Sequence, residues 1–147
     1  MKRKIKRFEL RTKNDEIAVL RAAPWVYVES PGGKPPTCVW LVCLAVSKSR
    51  RQINDWLNCR KNRRSRALSK LMTGKSGAQP LYWAFYKLKE IEEYIPDWDS
   101  LWFWFDAVEK DKQRRVYIKG FNKYGNPNWQ YLEEKDAFYF FKHPALK

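Results

Sequence analysis

The chain has 147 residues, 44% of them apolar and 16% aromatic, and a formal charge of +14. This is the size of one domain with ample core material, which argues against intrinsic disorder and against two independent units. No apolar run approaches the ~18 residues of a membrane span, and the basic start "MKRKIKRFELRTK" leads into "NDEIAVL" rather than a signal-peptide core, so a cytoplasmic protein is expected.

The charge is concentrated. Residues 1–13 net +6, residues 48–75 net +9, and the remainder carries −1. Such clustering attracts polyanions, so an anionic partner is expected: RNA, DNA or a nucleoprotein. The alternative is a solvated basic surface that serves solubility. Cys38, Cys43 and Cys59 have no zinc-ligand spacing, and His143 is the single histidine. No metal site and no Cys/His nucleophile is expected.

In chain order, "KIKRFELRT" and "IAVLRAAPWVYVES" read as strands, followed by the turn-forming "SPGGKPP". Cys38 to Val46, "CVWLVCLAV", is continuously apolar and β-branched, as expected of a central strand buried on both faces. The basic stretch from Ser47 to Met72 follows. Ile53, Trp56 and Leu57 fit one helical face and Ala67, Leu68 and Leu71 another, which predicts one or two short basic helices.

The clearest helix begins at Pro80, a residue suited to a first turn. Its apolar face is Leu81, Ala84, Phe85, Leu88, Ile91 and Ile95, and Pro96 ends it. "SLWFWFDAVE" reads as a second buried strand, and "EKDKQRRVYIKGF" as a short helix stopped by Gly120. "GNPN" at 125–128 is a turn. "WQYLEEKDAFYFFKH" is one or two strands around a turn near Glu133 to Asp136. The order predicts a single α/β (α+β) domain over residues 1–147, built on one mixed sheet flanked by helices, with a basic insertion at about 48–72.

Within "SKLMTGKSGAQPLYWAF", Gly74, Lys75 and Ser76 stand in the order of a nucleotide-binding loop. A Walker A loop needs a glycine five residues before Gly74 and a preceding strand; Ser69 and a basic stretch stand there instead. What remains is a flexible segment with a lysine just ahead of a helix N-terminus, where unpaired N–H groups favour an anion. The alternative is a loop that only turns the chain into a helix.

The downstream order, a buried strand ending "LAV", this loop, an amphipathic helix, a strand and then "RRVYIKGF", resembles the second half of the GNAT acetyltransferase superfamily over residues 38–141. Family members share an "L-x-V" strand end, a Q/R-x-x-G-x-G/A loop, and a later helix ending "A-x-x-x-Y-x-K-x-G-F". The resemblance implies acetyl-CoA as cofactor. Leu44, Ala45 and Val46 would line its pantetheine arm, the amides of Gly74, Lys75, Ser76, Gly77 and Ala78 would cradle its pyrophosphate, and Tyr117 would protonate the departing thiolate. In this chain residues 47–72 separate strand from loop, Gly74 and Gly77 are three apart, and Lys119 is followed directly by Gly120. A second registration runs through "YIKGFNKYG", with Tyr124 and Gly125 ending a longer helix. Tyr117 also has the spacing of a core aromatic beside Phe121. Glu29, Asp106 and Glu109 lie near strand ends and are candidates for a base, or are surface carboxylates.

Three functions follow. The first is an N-acetyltransferase acting on an amine of an acidic or nucleic-acid-associated acceptor. The second is a non-catalytic nucleic-acid-binding protein, using Arg50, Arg51, Arg60, Lys61, Arg63, Arg64 and Arg66 on phosphates and Trp56 on a base. The third is a small phage or plasmid accessory protein that binds another protein through exposed aromatics.

Overall fold

A computed structural model describes residues 3–29, 37–57, 79–104, 110–133 and 137–142. Six strands form one sheet: β1 (Lys6–Arg11), β2 (Ile17–Val28), β3 (Thr37–Ser47), β4 (Ser100–Trp104), β5 (Trp129–Leu132) and β6 (Ala137–Phe141), in the order β1-β2-β3-β4-β6-β5. Only β3 and β4 pair in parallel; the other neighbours are antiparallel. The helices are α1 (Arg50–Leu57), α2 (Gln79–Tyr94) and α3 (Lys110–Tyr124). The expected mixed α/β architecture is present, with the apolar β3 in the middle of the sheet.

Tight turns suit their sequences. Between β1 and β2, Thr12 N–H donates to Glu16 O at 2.8 Å and Asp15 takes a positive φ of 59°, which short polar residues tolerate in turns. A second irregularity lies in β2, where the register with β3 shifts between Pro24 and Val26. Proline cannot donate to a ladder, and a bulge accommodates it.

Strand alternation sends side chains to two layers. On one face Leu20, Trp40, Val42, Leu44, Leu101, Phe103, Phe138 and Phe140 pack against α2 and α3, forming the main core. On the other, Ile17, Val19 and Ala45 pack against Ile53 and Leu57 of α1. The side chain of Trp56 lies outside the described residues, as does the second expected basic helix.

α2 buries the whole predicted stripe, Leu81, Ala84, Phe85, Leu88, Ile91 and the following Ile95. Its end before Pro96 is held by Lys142, whose Nζ donates to the carbonyls of Glu93 at 3.0 Å and Ile95 at 2.8 Å, a favourable place for a cation. α1 starts at Ser49, whose Oγ accepts from Gln52 N–H at 3.3 Å, as an N-cap does.

One expected boundary is corrected. α3 does not stop at Gly120 but continues to Tyr124. Gly120 faces α2: a Cβ there would lie 2.5 Å from Phe85 Cε2. Its missing side chain serves packing. The helix ends at Gly125 instead, whose N–H donates to Phe121 O at 3.0 Å and whose added Cβ would lie 2.6 Å from that oxygen. β5 and β6 pair as the expected hairpin, after a turn in which Trp129 N–H donates to Asn126 O at 3.0 Å.

Candidate functional site

The geometry of interest lies at the end of the described β3/β4 pairing. β3 and β4 pair over four rungs, from Val39↔Ser100 to Val42↔Phe103. Beyond that, Cys43 is paired with Arg21 of β2 and Trp104 with Ala137 of β6, and residues 105–109, which follow Trp104, lie outside the described residues. β3 then continues to Ser47, paired among the described residues with β2 alone. The consequence is a stretch of β3 backbone, Cys43 to Ser47, with a β4-facing edge unmatched by any described strand.

The other end of the pair is fixed. Asp99, fully buried immediately before β4, accepts from Arg3 Nε at 2.7 Å, Arg3 Nη2 at 3.0 Å, Cys38 N–H at 3.0 Å and Trp40 Nε1 at 2.8 Å. The carboxylate raises the pKa of the Arg3 guanidinium by hydrogen bonding, so the guanidinium stays charged. A buried carboxylate with four donors holds the starts of β3 and β4 together.

Past the last described rung, Leu44 is buried in the α2/α3 core and Ala45 in the α1 layer, while Val46 is also buried. Their alternation means that this part of β3 reaches its surroundings chiefly through main chain. Tyr117 of α3 is 4% exposed, with its ring centroid 5.6 Å from that of Phe103, the last β4 residue paired with β3. Burial lifts its hydroxyl well above the ordinary phenol value, and nearby Cys43 adds to the lift. Tyr117 therefore remains a protonated donor at neutral pH.

Leu44, Ala45 and Val46 thus follow the last described β3/β4 rung, and Tyr117 packs against Phe103 at that rung. Gly74, Lys75, Ser76, Gly77 and Ala78 lie outside the described residues, as do Arg60, Lys61, Arg63, Arg64 and Arg66, and Asp106 and Glu109. Glu29 is exposed just past β2. Arg50 and Arg51 open α1, and Arg50 Nη2 pairs with Glu9 at 3.1 Å. Hydrogen bonds from Arg7 and Arg50 hold the Glu9 carboxyl below the usual range.

Sequence reasoning overlooked three residues here. Cys43 enters the sequence reading as a strand residue and a rejected metal ligand, yet it is the first β3 residue past the last described rung with β4. Asp99 gave no signal because its partners are 59 to 96 residues away. Glu92 had the look of a surface helix residue, yet it is buried and accepts from Trp129 Nε1. Burial raises its pKa. Comparisons with protein-family models, characterised proteins and solved structures find no match for this chain.

Proposed function

We propose that the protein is a GNAT-like N-acyltransferase, moving an acetyl group from acetyl-CoA to an amine, with the thioester lodged between β3 and β4. The observation that supports this reading is that the described β3/β4 pairing ends at Val42 and Phe103 while β3 continues to Ser47, paired among the described residues with β2 alone. An extended amide-bearing arm has unmatched β3 backbone to pair with there, as an added strand does. The single parallel junction in the sheet and the passage from β4 into a helix with a buried tyrosine support the same reading.

The chemistry assigns limited roles to this chain's residues. Main chain from Cys43 to Ser47 orients the thioester arm, and enclosure by α2 and α3 keeps water from the reacting centre. Acetyl-CoA supplies the activated acyl group when bound. Tyr117, kept protonated by burial, is the proton donor to the departing sulfur. Set on the glycine that closes α3, the family pattern puts its tyrosine position at Phe121, with Lys123 at the lysine position. Tyr117 is one turn earlier on the same buried face and carries the hydroxyl that Phe121 lacks.

Titrating nucleic-acid-free, 15N-labelled protein with acetyl-CoA tests the reading, using calorimetry for affinity and amide shifts for location. Saturable binding that moves the amides of Cys43 to Ser47 is expected. A folded protein with no saturable heat, or with shifts confined elsewhere, would overturn it.

A further inference from the structure

A second feature lies outside the β3/β4 junction, on the solvent side of α2 and α3. Tyr82 and Tyr86 project from α2 at 51% and 68% exposure, and Tyr124 from the end of α3 at 39%. Large apolar rings are seldom so open on helices that otherwise follow their amphipathic pattern. Tyr82 and Tyr124 meet at 5.0 Å between ring centroids, and Lys123 Nζ stands 5.2 Å from the Tyr124 ring. The rings and the cation therefore form one continuous patch across both helices.

The patch continues into a basic stripe. Arg115, Lys119 and Lys123 follow at intervals of four along α3, about 5–6 Å apart on one face. They line an open hollow. Lys119 and Lys123 make no ion pair among the described residues. No Asp or Glu occurs between Arg114 and Tyr124 or between Gln79 and Leu88, so neither run places a carboxylate beside Lys119 or Lys123.

From this arrangement we infer that the outer face of α2 and α3 binds single-stranded nucleic acid, with Tyr82, Tyr86 and Tyr124 as stacking surfaces and Arg115, Lys119 and Lys123 on phosphates. Aromatic rings interleaved with unpaired lysines match a strand that offers base faces and negative charge together. A duplex hides its base faces, and an acidic peptide gives the tyrosines no planar partner. The net charge of +14 brings such a ligand to the surface. The site is separate from Arg50 and Arg51 on α1 and does not depend on the acyltransferase reading.

Fluorescence anisotropy with labelled oligouridylate and oligothymidylate of roughly 12 nucleotides tests the inference. Saturable binding is expected, with Tyr82→Ala weakening it about ten-fold and Tyr82→Phe keeping it. Lys119→Gln with Lys123→Gln should reduce the slope of log affinity against log salt by roughly 0.7 per lysine. Tyr82 is half exposed, so unchanged circular dichroism is expected of its variants. No binding by the folded protein at low salt overturns the inference. So does binding indifferent to Tyr82 and to the α3 lysines but lost in Arg50→Gln/Arg51→Gln, or a preference for duplex that Tyr82→Ala does not alter.

Discussion

Replacing Asp99 tests whether the closed end of the β3/β4 pair depends on one carboxylate. In Asp99→Ala, the buried Cys38 N–H and Trp40 Nε1–H lose their acceptor, at about 1–3 kcal/mol each. Arg3, with 17% of its side chain exposed, recovers part of its hydration. The expected loss is therefore about 4 kcal/mol, within the range for breaking a buried charge pair. Domain stabilities of roughly 0.05–0.15 kcal/mol per residue leave the variant folded but much weakened. Asp99→Asn is the sharper probe. Oδ1 accepts from Cys38 and Arg3 Nη2, and Oδ2 from Trp40 and Arg3 Nε, so an amide NH2 in either orientation faces donors. Urea denaturation, read for both midpoint and slope, is the assay. An Asn variant within about 0.5 kcal/mol of wild type would refute the reasoning, since that is the range of a neutral surface change.

Gly120→Ala puts a methyl group into the Phe85 ring, whose retreat is limited by its edge-on contact with Phe121 at 4.7 Å. Overpacking of about 1–3 kcal/mol outweighs the roughly 1 kcal/mol of helix propensity gained, so a lower urea midpoint is expected. Glu92 has a folded pKa above its unfolded value, so its contribution to stability is full below about pH 4.5 and is lost as pH rises through the raised folded value. Glu92→Gln removes that loss while keeping an acceptor for Trp129, so its stability relative to wild type should increase from pH 4 toward neutrality in a pH series of urea melts. Tyr117→Phe should lower acetyl transfer about 100-fold or more with acetyl-CoA affinity retained, measured by turnover and calorimetry together. Equal turnover would remove Tyr117 from the chemistry.

Much of this fold could be read where neighbours in sequence determine burial. The α2 stripe from Leu81 to Ile95 was legible because a helix repeats its buried face every three or four residues, and β3 because strands covered on both faces need no polar positions. Gly120 misled because glycine both ends helices and lets them approach; the choice depends on Phe85, 35 residues earlier. Asp99 and Glu92 were illegible for a related reason: a buried carboxylate looks like a surface one until its distant donors are known. Of the candidate site, Leu44 to Val46 and Tyr117 could be named only through the family resemblance. The end of pairing after Val42 and Phe103 could not, since the register of two strands so far apart in sequence is set by tertiary contacts.

The single parallel junction has a consequence for how the chain folds. β1, β2 and β3 form a meander of near neighbours, and β4, α3, β5 and β6 form another local unit. The two halves join through four rungs whose anchoring contact, Cys38 to Asp99, spans 61 residues. Closing so long a loop is entropically slow relative to either local unit. Docking of the halves is thus the expected rate-limiting event. Changes at Val42 or Phe103 should then slow refolding more than they speed unfolding, whereas changes in the β5/β6 hairpin should do the reverse.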